Sequence, residues 1–251
     1  MLYPLKFKPI LKQTLWGGSK LAGKGSNPHI RESIGESWEI SGVQDNISEV
    51  AEGPLAENTL EELIEIYMGD LVGDKVYDKF GVEFPLLIKY IDARDNLSIQ
   101  VHPDDATAKE RHNAYGKTEM WYLLDAEPEA GLIMGFKHDT TQQEYLQGLH
   151  NNTLPALLNT EKVKKGDCFF IPAGTVHAIC KGCFIAEIQQ TSDITYRIYD
   201  YNRRDKNGNT RELHTDLATD VINYNGQKQH AIPYHQHENH TEKLVDCEYF
   251  T

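Results

Sequence analysis

Four side chains in three short segments have the types and spacing to do chemistry. Gln100-Val-His102-Pro103 sets an amide and an imidazole at positions i and i+2. On an extended chain both face the same way and offer two donor atoms to one point. Glu119 opens the segment Glu-Met-Trp-Tyr, and Pro172-Ala-Gly-Thr-Val-His177 delivers a second imidazole behind a turn. One Gln, two His and one Glu make a mixed nitrogen and oxygen shell. Such a shell suits zinc, or another first-row divalent ion, with one position open to a ligand. Each residue alone reads as an ordinary surface or hydrogen-bonded side chain. Together, in this order, they predict a metal site.

Two lysines stand close to this set. Lys117 lies two residues before Glu119, so an extended chain points both to one face. It is placed to shuttle a proton or to bind a phosphate, and equally to be an exposed turn lysine. Lys89 interrupts the apolar run Leu-Leu-Ile-Lys-Tyr-Ile. A charge buried without a partner is costly, which points to a ligand; an edge lysine facing solvent is the plainer reading.

The elements that must hold these residues are mostly strands. Residues 35–42, 84–92, 97–102, 119–125, 131–136, 168–172, 175–179, 183–190 and 194–201 alternate or cluster apolar residues over short runs. Helices are expected after Thr59, Asp104 and Thr141, each a capping residue. Thr59 with Glu62 and Thr141 with Glu144 add a capping-box pattern. Thr153-Leu-Pro-Ala-Leu-Leu-Asn reads as a further helical turn. Cys180-Lys-Gly-Cys183 reads as a two-residue hairpin rather than a redox or zinc motif, because no second cysteine pair accompanies it. Many short strands with a few helices predict a mainly β protein, a sandwich or barrel with helical insertions.

The bulk numbers narrow the partners. The chain has 251 residues, 39% hydrophobic and 25% charged, with a formal net charge of −13. That acidity argues against nucleic acid or an anionic membrane. A small phosphorylated substrate needs only a local cluster of cations and stays open. No apolar run reaches the roughly 20 residues of a membrane span, and the start lacks a signal-peptide core. Four cysteines are too few for a disulfide scaffold, so a reducing cytoplasm is expected. His230, His235, His237 and His240 read as part of a polar linker after residue 225, ending in what looks like the first strand of a further, truncated domain.

These motifs carry a resemblance. The order of a strand with two ligands, a Glu, and then Pro-x-Gly-x-x-His looks like the two motifs of the cupin superfamily, whose fold is a jelly-roll β-barrel. Leu-Ser-Ile-Gln-Val-His-Pro, Lys-Thr-Glu-Met-Trp-Tyr and Phe-Ile-Pro-Ala-Gly-Thr-Val-His-Ala resemble class I mannose-6-phosphate isomerases, closest to the short bacterial form. Leu-Trp-Gly-Gly, Gly-Glu-Ser-Trp-Glu-Ile-Ser and Thr-Ser-Asp-Ile-Thr-Tyr-Arg-Ile-Tyr-Asp-Tyr-Asn-Arg extend the likeness over about residues 3–225.

The resemblance implies an aldose–ketose isomerase that interconverts mannose 6-phosphate and fructose 6-phosphate through an enediol. It implies zinc on His102, Glu119 and His177, with Gln100 as fourth ligand, and a catalytic cupin domain over residues 1–225. Arg197 aligns with the family's active-site arginine. A guanidinium stays charged and is a poor base, so its role there is to stabilise the enediolate. Glu187 matches a pocket carboxylate, as base or hydroxyl ligand. Ser98, Lys89 and Arg203 match phosphate-binding positions, with Arg203 where the family has lysine. Two other readings remain: a cupin of different activity, such as a dioxygenase or another sugar-phosphate isomerase, and a non-catalytic sugar-binding cupin.

Overall fold

A computed structural model describes residues 2–22, 33–205, 207–226, 231–235 and 239–251. Eleven strands carry the fold: β1 (Ile10–Gly18), β2 (Ile34–Ser41), β3 (Leu86–Asp92), β4 (Ile99–Val101), β5 (Glu119–Ala126), β6 (Gly131–Phe136), β7 (Leu158–Lys162), β8 (Cys168–Ile171), β9 (His177–Ile179), β10 (Cys183–Gln190) and β11 (Tyr196–Tyr199). They form two antiparallel sheets, in the orders β1-β2-β3-β10-β5-β8 and β11-β4-β9-β6-β7. The mainly β expectation holds, with the strands in two sheets packed face to face.

The inner faces share one core. Trp121, Leu123, Phe169 and Ile185 from the six-stranded sheet meet Leu132, Met134 and Ile179 from the other. The outer face of the five-stranded sheet is covered separately. Ile99, Val101, Ala178, Tyr196 and Ile198 pack there against Tyr145, Leu154, Ala218 and Ile222. This alternation is what strands buried on both faces require. It also decides direction: if Tyr196 and Ile198 face the helices, Arg197 faces inward.

The helices are short: α1 (Leu60–Tyr67), α2 (Gly69–Val72), α3 (Asp74–Phe80), α4 (Asp105–His112), α5 (Gln142–His150), α6 (Leu154–Leu157) and α7 (Thr215–Thr219). The two capping boxes form as expected. Thr59 and Thr141 each accept from the backbone of the residue three along and receive that residue's carboxylate in return. Asp104 caps α4 by accepting from Thr107 N at 2.8 Å. Strand β7 directly follows α6, where the sequence suggested only a helical turn.

One local expectation is corrected. Cys180-Lys-Gly-Cys183 is not a hairpin between paired strands. β9 belongs to the five-stranded sheet and β10 to the six-stranded one, so this turn crosses between sheets. Gly182 takes φ +89° there, a backbone state that favours glycine. Both cysteines are free, and burial pushes their thiols up to about 11 and about 12.

The end of the chain packs back on the six-stranded sheet. Ile232 N donates to Cys168 O at 2.7 Å and the Tyr234 hydroxyl to Gly166 O at 2.5 Å. His230 and His237 lie outside the described residues. No helix among the described residues is long and apolar enough to cross a membrane.

Candidate metal centre and active site

The ligand segments are stitched together by their backbones. Gly174 N donates to His102 O at 2.9 Å, and Lys117 N to Pro103 O at 3.1 Å. Gly174 sits at φ +85°, and a Cβ there would meet Val221 O at 2.9 Å, so the turn before His177 needs glycine. Gln100 and His177 are direct partners on β4 and β9, and Arg197 on β11 is the next partner of Gln100. One row across the inner face therefore reads Arg197, Gln100, His177, Met134.

His102, Glu119 and His177 converge, fully buried. His102 Nε2 lies 3.6 Å from Glu119 Oε2, and His177 Nε2 lies 3.3 Å from Glu119 Oε1. The three ligand atoms fall within 4.8 Å of one another. The other imidazole nitrogens are engaged: His102 Nδ1 with Ile194 O and His177 Nδ1 with Thr175 O, both at 2.8 Å. Each Nδ1–H donating to a carbonyl leaves Nε2 as a lone pair aimed at Glu119. Among the described residues, neither oxygen of Glu119 finds a hydrogen bond. A buried carboxylate that accepts no hydrogen bond, with Lys117 Nζ 3.4 Å away, and that faces two imidazole lone pairs is a poor arrangement by itself and a good one around a cation. The donor set fits a divalent metal. Gln100 brings its amide within 3.3 Å of His177 Nε2, at the edge of the same cluster.

Burial keeps both imidazoles neutral. It pushes His177 down from the ordinary 6.5 to about 4, against a partial pull from the Thr175 carbonyl, and takes His102 well below its usual range, with the Lys117 ammonium adding to the effect. The unfolded chain then takes up protons at higher pH than the folded one. In metal-free protein this stabilisation is complete above about 6.5 and is lost as the pH falls toward 4. The stability difference between wild type and His177→Gln should shrink over that window in urea titrations. A constant difference would contradict burial of a neutral imidazole.

Lys117 is buried rather than exposed in a turn. Its Nζ lies 3.2 Å from His102 Nε2 and 3.4 Å from Glu119 Oε2. Lys89 is also buried, in a second row across the six-stranded sheet: Trp38, Lys89, Glu187, Trp121. Its ammonium meets Glu36 Oε2 at 3.1 Å and Glu187 Oε1 at 3.2 Å. Burial alone would favour neutral Lys89, but the two carboxylates outweigh it and raise its pKa. Burial, with the negative charge of Glu119, raises that of Glu187.

Ser98 and Arg203 fall beside Arg197. Arg197 Nε donates to Ser98 Oγ at 3.3 Å, and its Nη1 to Glu212 O at 2.9 Å. Arg203 Nε donates to Asp200 Oδ1 at 3.1 Å, and Arg211 Nε to Asp200 Oδ2 at 2.8 Å. Burial, with the positive charges of Arg211 and Arg203 among the nearby groups, lowers the pKa of Arg197. Two guanidiniums thus clamp the Asp200 carboxylate, with a third, Arg197, close enough to feel their charge. Asp200→Asn should cost about 2 kcal/mol, because a charge-assisted clamp is lost and the arginines repel. Urea melts should show the lower midpoint; an unchanged midpoint would deny the clamp.

Sequence reasoning missed Glu36, Asp200, Arg211 and Trp121. For Glu36 a signal existed: Glu36 and Trp38 alternate onto one face of β2, and Trp38 Nε1 donates to Glu36 Oε2 at 2.7 Å.

Two antiparallel sheets packed on one core, with a buried two-histidine, one-carboxylate cluster between them, define a cupin-like fold with a candidate metal site. The family described as "Phosphomannose isomerase type I, catalytic domain" matches residues 4–156. The mannose-6-phosphate isomerase ManA of Bacillus subtilis (strain 168) is 40% identical over 254 residues, covering 99% of this chain and 78% of its own. The crystal structure of the mannose 6-phosphate isomerase from Bacillus subtilis superposes with a TM-score of 0.81 at 37% identity, over 98% of this chain and 77% of that one. A mannose 6-phosphate isomerase structure described as holo and zinc bound shares the fold, with a TM-score of 0.68 at 16% identity over 89% and 75% of the two chains. This chain belongs to the type I phosphomannose isomerase family.

Proposed function

We propose that the chain interconverts mannose 6-phosphate and fructose 6-phosphate at the pocket built around His102, Glu119 and His177. The observation that carries this reading is the buried Glu119 carboxylate, without a hydrogen bond and facing two imidazole lone pairs, in a chain of this family. We assign zinc to His102, Glu119, His177 and Gln100, on the nitrogen and oxygen character of the donors. When bound, the metal supplies Lewis-acid polarisation of the substrate's carbonyl and hydroxyl oxygens.

The chain's own groups do the rest. The reaction moves a proton between C2 and C1 by way of an enediol, so it needs a base and a stabiliser of developing negative charge. Glu187 is the base: its raised pKa makes it a better proton acceptor than an ordinary carboxylate, and its Oε1 has no hydrogen bond. Arg197, next to Gln100 in register, holds the charge that develops on oxygen. Lys117 donates from its ammonium to a substrate oxygen beside the ligands. Ser98 and Arg203 hold the phosphate, joined by Arg211. Lys89 acts as counter-ion to Glu36 and Glu187 rather than as a phosphate ligand, since both carboxylates already meet it. The catalytic unit is residues 1–225, which contain every one of these groups.

The test is product detection. Zinc-loaded protein with mannose 6-phosphate should give fructose 6-phosphate, and the reverse reaction should reach the same equilibrium ratio. Binding of mannose 6-phosphate without any ketose formed would favour a sugar-binding cupin instead. Oxygen uptake would favour a dioxygenase.

A further inference from the structure

Trp121 joins His177 of the candidate metal cluster to Glu187 without being able to react itself. It lies two residues along β5 from Glu119, on the same inner face. Its ring stands edge-on to the imidazole of His177, with centroids 5.4 Å apart. Its indole Nε1–H donates to Glu187 Oε2 at 2.8 Å, from the directly opposite position on β10. The residue is 1% exposed, so no water competes for that bond.

This contact differs from ordinary core packing. A buried indole needs an acceptor, and a backbone carbonyl or a neutral side chain would serve. Pairing it with a buried carboxylate adds a desolvation cost that such a core would avoid. The consequence is directional. With Oε2 held by the indole, rotation of the carboxylate is stopped. Oε1 is then the oxygen of Glu187 with no hydrogen bond among the described residues, with Lys89 Nζ 3.2 Å away. A base works only within reach of its proton and in the right orientation, which a fixed carboxylate provides.

We propose that Trp121 is a positioning residue that fixes Glu187 relative to the metal-ligating His177, so that Glu187 Oε1 faces the reacting carbons. This rests on the reading of Glu187 as the base. Trp121→Phe keeps the ring against His177 and removes the N–H. In the metal-loaded enzyme it should lower kcat about tenfold, with KM within twofold and metal content unchanged. Glu187→Gln should lower kcat further, and the double variant should be no slower than Glu187→Gln alone, because the indole acts only through that carboxylate. In tryptophan-labelled protein, the Trp121 indole N–H resonance should move upfield in Glu187→Gln, as a charge-assisted bond becomes a neutral one.

Wild-type kcat in Trp121→Phe, additive losses in the double variant, or an unmoved indole resonance would overturn the proposal. A loss of metal in Trp121→Phe would also overturn it, by placing the effect on His177. Full activity in Glu187→Gln alone would instead overturn the base assignment beneath it.

Discussion

Glu119→Gln should abolish metal binding and lower kcat/KM for mannose 6-phosphate by at least about a thousandfold. Glu119 is the centre of the cluster, 3.6 Å from His102 Nε2 and 3.3 Å from His177 Nε2. It is also the only negative charge among the four proposed ligands. An amide keeps the volume but brings a neutral, weaker donor, and leaves a divalent cation in a buried site with no compensating charge. The fold should survive, because neither oxygen of Glu119 holds a hydrogen bond to lose and the amide keeps an oxygen acceptor beside Lys117 Nζ, 3.4 Å from the carboxylate. Thermal melts separate the two effects. Wild type gains about 2.7 kcal/mol when zinc is present at a hundred times its Kd. The variant should melt alike with and without zinc. One metal per chain and near-wild-type turnover in Glu119→Gln would remove this cluster from the account.

Arg197→Lys should lower kcat by about a hundredfold, and Arg197→Ala by about a thousandfold, with metal content unchanged. The guanidinium is already held at two points, by Ser98 Oγ at 3.3 Å and Glu212 O at 2.9 Å, which fixes its plane beside Gln100. A lysine ammonium keeps the charge but not the planar fork, so it cannot hold both supports and still address the substrate. Steady-state kinetics with metal analysis decide this. A fall in kcat together with metal loss would make Arg197 a prop of the centre. Unchanged kcat would leave the stabilisation of the enediolate unassigned.

The site was legible where its logic is local. Gln100 and His102 alternate at the end of β4, which stops one residue before His102, and the Pro-Ala-Gly turn before His177 announces itself through a glycine that the backbone requires. The capping boxes at Thr59 and Thr141 were legible for the same reason. What the sequence hid depends on distant partners. Lys89 read as a ligand because Glu36 and Glu187, its neighbours across the sheet, are far away in the chain. Asp200 and Arg211 drew no reading from the sequence, because their pairing, and that of Asp200 with Arg203, is made by the fold. The turn at Lys181 and Gly182 has hairpin chemistry, yet its strands belong to different sheets, which only tertiary packing decides. Strand β7 was masked by the helix-forming Leu-Pro-Ala-Leu before it. Helices α2 and α3 are short, with no buried residue to give them a periodic apolar face.

The most direct measurement is a metal titration of turnover. Protein stripped with a chelator and dialysed free of it is returned to zinc in steps, with fructose 6-phosphate formation and bound metal followed together. Stripped protein should show negligible turnover, and the rate should rise in proportion to bound zinc, up to one per chain. Full turnover of mannose 6-phosphate by stripped protein would contradict this dependence on zinc.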